Sequence, residues 1–407
     1  MARFRVYVKP FLESGEYATD FTEVTSDVIA LGNPKQGIDN TDFDVGVVKN
    51  SGFTVTLRND HGYYSDVTEL RTIFRYSRKN SLVRITWDFR DYDLVCGFFL
   101  CGDEPLGGEY TIFDGVINEV TSISNIAQQQ ATFAILGFDS LLDQMEVPYS
   151  SISVGNTLQT VIYTLINQAP FNERVSVLLA NINPVIDVAI DSKAEYENKT
   201  VGAMLKDLLL GACSVLYIKS GVVYVKSRAE SATNLFTFYG QATEAVENII
   251  NIPKYRDGMN RVFNLWTWEE TAFDARDTTS IDRNGVKSKT MSLPLIADAS
   301  ESKIQSILDA NRDEFAYPKI ELELETPIWY DTLALEILDQ VAIDYPTVFI
   351  PFDGGVLPRY GLDYYDGTAV YPYEQWALTI DSATPFKIMG KRIEVRKQTI
   401  VFTLREA

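Results

Sequence analysis

Two stretches of this chain open in the same way: FDGVINEVTSISNIAQQQATFAILGFDSLLDQ at residues 113–144 and FKIMGKRIEVRKQTIVFTLREA at residues 386–407. Each begins with Phe, has a glycine two to four residues later, and then places Ile and Val at alternate positions. A polar stretch leads to a second alternating run that starts at Thr. Alternation of this kind is typical of half-buried strands, so each stretch predicts a β-hairpin. The recurrence favours two related β domains, with chance resemblance between two hairpins as the alternative.

The first section of the chain, residues 1–146, predicts further strands. Residues 4–8 and 53–57 alternate between apolar and polar side chains. Residues 83–89 do the same, with Val, Ile, Trp and Phe on one face. Asn, Asp and Gly in 58–66 interrupt the pattern and predict a turn. We therefore predict a first tube-like β domain over this section.

The middle section, residues 147–250, changes to helical spacing. Apolar residues recur every three or four positions in 156–168 and in 199–213, which predicts two helices. Asn156 and Thr200 are the candidate N-caps. A hairpin with a glycine turn is predicted directly after the second helix. This section therefore predicts a small α/β domain.

The last section, residues 251–407, returns to strands and predicts a second tube-like β domain. Aromatic residues are abundant, with 22 Tyr and 22 Phe in the chain, and they favour strands. The predicted elements are strands at 260–268, 318–327 and 333–346, a helix at 300–315 capped by Ser300, and a long loop at 352–376 that is a candidate recognition surface.

Charge and hydropathy exclude several classes of protein. The net charge of −20 argues against sequence-specific nucleic-acid binding, because proteins of that class carry a basic face. Solubility is the simpler interpretation of the acidic charge, and repulsion of a passing nucleic acid is the other. No apolar run approaches the ~20 residues of a membrane-spanning helix, and residues 1–10 lack the apolar segment of a secretory signal.

Few residues are available for catalysis. The chain has three cysteines and one histidine, and Cys96, Cys101 and Cys213 lack the paired spacing of a zinc site. Free thiols in a reducing compartment fit better. His61 lies in the predicted turn at 58–66, and no phosphate-binding, serine-hydrolase or zinc-protease motif occurs. We assign no catalytic residue, cofactor or metal, and we expect a protein that is not an enzyme.

Acidic residues raise the question of calcium binding. Residues 39–46, DNTDFDVG, fail the EF-hand pattern, because Gly46 comes one place early and the twelfth position is Phe53. Calcium sites of another kind stay open at Asp42 and Asp44 and also at Asp353, Asp363 and Asp366. Pairs of acids for glycoside cleavage are uninformative among 56 Asp and Glu.

The order of these segments resembles that of the baseplate-hub or tail-hub proteins of tailed bacteriophages and related injection machines. In one segment this family commonly has Gly-Asp, whereas Leu338 stands in place of the glycine here. The resemblance covers most of the chain and rests on SGFTVTLRNDHGYYSD (51–66), YTIFDGVINEV (110–120) with ATFAILGFDSLLD (131–143), YENKTVGAMLKDLLLGACSVLYIKSGVVYVKSR (196–228), LALEILDQVAIDYP (333–346) and the closing hairpin.

The resemblance implies a trimer in which two tube-like domains per subunit imitate a hexamer, so that a threefold object fits a sixfold tail tube. It implies as partners the tail tube or distal tail protein, tip, spike or fibre proteins, tape-measure protein, and DNA that passes without specific binding. Its place would be the tail tip of the virion, after synthesis in the host cytoplasm. Hairpins would pair between units, and the expected subunit contacts are Val116, Ile117, Val120, Ile393 and Val395.

Two other functions remain open from the sequence. One is a distal tail protein or host-recognition adhesin, with residues 352–376 as the contact surface; such proteins form hexamers where hubs form trimers. The other is a carbohydrate-active enzyme built on β domains. The host, the type of tail and the state of the lumen have no signal in the sequence.

Overall fold

The structure is a computed structural model. It describes residues 4–12, 16–40, 42–60, 64, 77–89, 108–125, 128–168, 171–172, 175–177, 186–219, 221–229, 233–240, 248–269, 271–349, 377–380 and 384–407. His61, Cys96, Cys101, the loop at 352–376 and its three aspartates lie outside these residues.

The described residues are mainly in strands. The first section contains β1 (Phe4–Phe11), β2 (Thr22–Glu23), β3 (Val28–Leu31), β4 (Lys35–Asn40), β5 (Val45–Ser51), β6 (Phe53–Arg58), β7 (Ser77–Asp88), β8 (Glu109–Asn125), β9 (Gln128–Gly137) and α1 (Asp139–Leu142). The middle section contains α2 (Leu158–Ile166), β10 (Ser176–Val177), α3 (Val201–Gly211), β11 (Ser214–Lys219), β12 (Val222–Ser227) and β13 (Phe236–Tyr239).

The last section contains β14 (Asn251–Arg256), β15 (Leu265–Trp268), β16 (Asp274–Arg276), α4 (Thr278–Asn284), β17 (Ser288–Met291), α5 (Glu301–Phe315), β18 (Glu321–Pro327), α6 (Tyr330–Ala334), β19 (Gln340–Phe349), β20 (Ala377–Ile380), β21 (Pro385–Glu394) and β22 (Thr399–Glu406). The predicted fold class, mainly β with an α+β insert, is confirmed.

The first sheet is antiparallel and has the order β2-β1-β7-β8-β9-β6-β3. The alternation read from the sequence describes its two faces correctly. Val55 and Leu57 on β6, and Val83 and Ile85 on β7, are buried, as is Trp87. Burial of alternate side chains is what fixes the register of these strands.

The second sheet joins segments from all three sections. Its main path is β10-β12-β11-β5-β4-β21-β22-β18-β14, and β19 pairs with β21, β13 and β20. The hairpin β4–β5 thus belongs to the first section in sequence and to the sheet of the last section in space. A small third sheet, β16-β15-β17, packs against α5. The domain boundaries at residues 146 and 250 stay a prediction. Strands from all three sections lie in one sheet.

Five strands at each end of the chain are arranged alike. We call β3, β6, β7, β8 and β9 the first repeat, and β14, β18, β19, β21 and β22 the second repeat. Their spatial orders are β7-β8-β9-β6-β3 and β19-β21-β22-β18-β14. Neighbours are antiparallel throughout in both repeats. The two repeats therefore have the same connectivity, as the recurring hairpin predicts.

The register of the two hairpins agrees residue by residue. In each hairpin we count residue pairs from the end opposite the turn. The third pair is Ile117 with Ile135 in the first hairpin and Ile388 with Leu404 in the second. In each hairpin one extra residue then follows on the first strand, Asn118 on β8 and Met389 on β21, as a β-bulge. The alignment by structure equates Gly115, rather than Phe113, with Phe386.

The same register extends to the flanking strands. Phe53 on β6 faces Ile135, and Leu322 on β18 faces the equivalent Leu404. Leu82 on β7 and Gln340 on β19 face the equivalent Val116 and Lys387. Two residues before these positions, Asn80 and Leu338 each have a left-handed backbone, with φ of 70° and 64°. A positive φ is uncommon outside glycine, so its recurrence at one position supports the equivalence.

The helices of the middle section lie where the sequence predicts them, with one change of cap. Thr200 accepts a hydrogen bond from the Ala203 N–H and caps α3 as predicted. In α2 the cap is Thr157, which accepts from the Thr160 N–H. The prediction of Asn156 is wrong, because its side chain accepts from the Ser153 N–H in the preceding turn.

Three elements of the last section differ in detail from the prediction. Ser300 precedes α5 but its hydroxyl donates to Asp191 instead of capping the helix. The strand predicted at 260–268 is shortened to β15, because left-handed Gly258 leads into a short 3-10 turn. The region 333–346 begins with the end of α6, where the hydroxyl of Thr332 accepts from the Trp329 N–H, and becomes a strand only at β19.

Candidate functional site: the joint between the two repeats

The five predicted subunit contacts lie inside the chain itself. Val116, Ile117, Ile393 and Val395 are buried, and Val120 is half-buried. Val116 belongs to the core under the middle section, and the other four pack in the core that the two large sheets share. Their burial needs no neighbouring subunit, and their role as subunit contacts stays a prediction.

A cluster of three arginines ties the sections together around Phe315, the last residue of α5. We call Arg228, Arg261 and Arg405 the arginine cluster. Their guanidinium carbons lie 5.2, 5.7 and 4.7 Å from the centroid of the Phe315 ring. Arg228 follows β12, Arg261 precedes β15, and Arg405 lies on β22. The Phe315 ring therefore lies near one arginine from the middle section and two from the last section.

Acidic residues from both ends of the chain balance this cluster. Arg261 donates to Glu321 at 2.5 Å and to Asp44 at 2.7 Å. Arg405 also contacts Asp44, and each of these two residues is only 3% exposed. Asp44 lies between β4 and β5, so the first section contributes the acid that the last section requires. Removing one member of such a buried pair leaves an uncompensated charge, which is costly.

The ionisation of Glu314 depends on the same surroundings. Burial by itself raises the pKa of this carboxyl, but Arg228, Lys319 and Lys387 outweigh burial and hold the pKa below its usual range. Lys319 donates to Glu314 at 2.8 Å. Burial lowers the pKa of Arg405 to about 10, so its guanidinium is charged at neutral pH. Arg405 and Glu314 are therefore both charged at neutral pH.

A pH-dependent loss of stability follows from Glu314. Because its pKa is lower in the folded chain than the ordinary 4.5, its stabilising contribution is complete above that value and is lost as the pH falls through the folded pKa. We expect the gap in unfolding free energy between the wild type and Glu314→Gln to be constant above about pH 5.5 and to shrink below about pH 4.5. Urea unfolding between pH 3.5 and 7 measures this gap. Glu301→Gln, on the exposed start of α5, is the control, and a gap that widens in acid would contradict the assignment.

A second charged cluster joins the middle section to the last section. Lys219 on β11 pairs with Glu336 at 3.1 Å, and Lys226 on β12 pairs with Asp339 at 2.6 Å. Lys391 on β21 is buried and donates to the carbonyl oxygens of Leu333 and Leu335 at 2.5 and 2.9 Å. Burial lowers the pKa of Lys391. The middle section therefore holds the segment between α6 and β19 in place.

This cluster borders a small polar cavity between the repeats. The cavity has a volume of about 30 Å³ and is lined by Tyr110 and Asp114 of β8, by Lys219, and by Glu336 and Lys391. Burial, together with the Glu336 charge, raises the pKa of Tyr110 to about 12. Tyr110 also packs edge-on against Tyr330 of α6. The joint between the repeats is thus polar and charged on one side and aromatic on the other.

Neither charged cluster has a recognisable pattern in the sequence. Their members are single Lys, Arg, Asp and Glu residues spread from Asp44 to Arg405, with no fixed spacing that could mark them. Only the pairing of β4 with β21 and of β5 with β11 brings them together. These ion pairs join three sections of the chain to one another.

The candidates for metal binding and thiol chemistry have ordinary partners. Asp44 is paired within the arginine cluster, and Asp42 pairs with Lys289 at 3.4 Å. Across the described ranges, no three His, Cys, Asp or Glu side chains lie together in a way that could hold a metal ion. Cys213 is buried, and burial raises the pKa of its thiol. No helix in the described part of the chain is long and apolar enough to cross a membrane.

Comparison by sequence gives no match, either among models of known protein families or among curated proteins. Comparison with solved structures gives matches. A tail protein from Neisseria meningitidis MC58 matches over 99% of this chain and 96% of its own, at 10% identity and a TM-score of 0.54. The 43 kDa tail protein of prophage MuSo2 from Shewanella oneidensis matches over 98% of both chains, at 9% identity and a TM-score of 0.52.

A third solved structure gives the same result. The prophage tail protein gp18 from Listeria monocytogenes EGD-e matches over 98% of this chain and 94% of its own, at 9% identity and a TM-score of 0.51. At sequence identities this low, the similarity establishes only a shared fold. The likeness extends over nearly the full length of all three proteins, so it includes both repeats and the middle section together. The chain has the fold of these phage-type tail proteins.

Proposed function

We propose that this protein is a structural hub of a phage tail tip, in which three copies form a ring of six similar β units. The observation that carries the proposal is the shared connectivity and register of the two repeats. Two equivalent units per chain let a threefold assembly present a sixfold surface. The fold shared with three tail proteins supports a role in a tail.

The internal joint supports a rigid role for the chain. The arginine cluster joins the β4–β5 hairpin of the first section to the middle and last sections, and the second charged cluster joins the middle section to the last. The relative position of the three sections is therefore set within one subunit before any assembly. Closed rings need interfaces with a fixed angle, because a variable angle would give open or irregular assemblies. The proposed partners are further copies of this chain, the tail tube or distal tail protein above the ring, and tip, spike or fibre proteins below it.

The proposed ring surrounds a conduit for tape-measure protein and DNA. A chain with a net charge of −20 repels phosphate, which would let DNA pass without binding. This part of the proposal fails if the assembled ring has a basic channel wall with its acids outside. The proposed role includes no catalysis, and incubation with cell-wall glycans should release no new sugar ends.

The oligomeric mass tests the hub directly against the distal tail protein. Native mass spectrometry of the purified chain should give three times the chain mass of 45.8 kDa. A hexamer would instead favour the distal tail protein, and a monomer at micromolar concentration would contradict both.

A further inference from the structure

The tip of the closing hairpin carries a group of cations on its surface. Lys35 on β4 and Arg392 on β21 face each other across the two strands, and Arg396 and Lys397 follow in the turn that leads to β22. Lys35, Arg396 and Lys397 are exposed, and the Arg392 side chain is 40% exposed. We call these four residues the basic patch. Like charges directly opposite each other destabilise a sheet, so the pairing of Lys35 with Arg392 does not serve the fold.

One neighbouring acid neutralises only part of the basic patch. Glu394 lies 2.9 Å from Arg392, and it also accepts a hydrogen bond from the Asn33 side chain at 2.9 Å. Among the described residues, the other three cations of the patch have no ion pair. The chain has 56 acidic and 36 basic residues, so a group of unpaired cations is unusual for it. Such a surface is complementary to an anionic partner.

A glycine beside the patch is consistent with a partner that comes close to the sheet. Gly37 lies two residues after Lys35, on the same face of β4, and is opposite Gly390 on β21. Its backbone is not left-handed, and an added Cβ would meet no atom of the described chain within 4 Å. Neither the backbone nor the space around it therefore requires a glycine. Glycine weakens a strand interior and often marks a place where another backbone approaches closely.

The two repeats differ in charge at this surface. The shared register places Thr121 of β8 at the position of Arg392, and Glu119 at the position of Gly390. The turn of the first hairpin, residues 125–128, has the uncharged sequence Asn-Ile-Ala-Gln. The same backbone arrangement therefore carries a basic surface in the second repeat and a neutral to acidic surface in the first.

We infer that the basic patch is the docking surface for an acidic segment of a threefold partner on the tip side of the ring. The inference rests on the proposed function. A sixfold partner needs the same chemistry on all six units of the ring, and alternate units differ at this surface. Three patches per ring instead match a trimeric partner.

The size of the patch favours protein carboxylates over nucleic acid. A phosphate backbone is normally bound by an extended basic face, whereas this patch has four cations in a chain with a net charge of −20. A short acidic segment can contact the patch without passing over the acidic surface around it.

A synthetic trimeric probe tests the inference. The probe is a trimeric coiled coil in which each chain ends in a flexible linker and about six glutamates, and the same acidic tail as a single peptide is the control ligand. We expect the assembled wild type to bind the trimeric probe at least about tenfold more tightly than the single tail, because three tails reach three patches at once. The affinity should fall as the salt concentration rises.

Charge reversal locates the binding surface. The double variant Arg396→Glu with Lys397→Glu should keep the wild-type oligomeric mass and bind the trimeric probe at least about tenfold more weakly. Arg283→Glu with Lys206→Glu is the matched control, since it makes the same change in net charge at two exposed cations of other elements and should bind like the wild type. Arg396→Gln with Lys397→Gln, a milder change, should also weaken binding and covers the case in which charge reversal prevents folding.

The outcomes separate this inference from the hub itself. If both turn variants bind the probe like the wild type, the patch is not the docking surface, although the trimeric hub stands. Equal losses in the turn variant and the control would show that net charge alone governs binding, and would overturn the inference. A single DNA strand of about 20 nucleotides that binds more tightly than the probe would overturn it in favour of a nucleic-acid site. If the wild type stays monomeric, the hub fails and the three patches are never presented together.

Discussion

Replacing Arg405 by leucine is expected to lower the free energy of unfolding by about 3–5 kcal/mol. The residue is 3% exposed, and its side chain contacts the buried Asp44 and lies 4.7 Å from the Phe315 ring. Leucine would leave Asp44 with Arg261 as its remaining partner and Glu314 with one cation fewer. The loss is large because these acids cannot reach water to recover their solvation.

Urea unfolding at pH 7 measures this effect. Arg58→Leu is the control: its ion pair with Asp60 is solvent-exposed on both sides, so a change within about 0.5 kcal/mol is expected. If Arg405→Leu also changed the unfolding free energy by less than about 1 kcal/mol, the arginine cluster would not be the lock between the sections.

The second large effect concerns a pair of equivalent phenylalanines. Phe133 on β9 and Phe402 on β22 occupy the same position in the two repeats and are 1% and 0% exposed. Each also has an aromatic neighbour, Tyr64 at 5.8 Å and Phe238 at 5.7 Å between ring centroids. Phe133→Ala and Phe402→Ala should each cost about 3–5 kcal/mol, because each leaves a cavity in a packed sheet core.

Chemical denaturation of the two single variants compares them directly. Leu235→Ala is the control, since this side chain is 58% exposed and its loss leaves no cavity. Similar large losses at both positions are the expected result. A loss below about 1 kcal/mol at one of them would show that the two repeats are not built around the same core position.

The fold was predictable from the sequence where burial alternates strictly. β6, β7 and the two hairpins follow the pattern of their apolar residues because one face of each strand meets a core. The helix at α3 follows from its stripe and from Thr200. Hairpins that begin alike also predicted the internal repeat, although the quoted stretches are offset by two residues from the alignment that the structure gives.

The joint was not predictable, because it depends on strands that are distant in sequence. The pairing of β4 with β21 has no local signal, since Lys35, Gln36 and Gly37 resemble any turn-proximal segment. The arginine cluster exists only after that pairing forms. The apolar residues named as subunit contacts illustrate the same limit: alternation marks Ile117 and Ile393 as buried, but it does not tell what buries them.

Cryo-electron microscopy of the purified assembly, viewed along its axis, tests the central claim most directly. The account predicts a closed ring with threefold symmetry and six similar lobes of density, in which neighbouring lobes alternate between the first and the second repeat. Six lobes related by true sixfold symmetry, or three lobes without a matching second set, would contradict it.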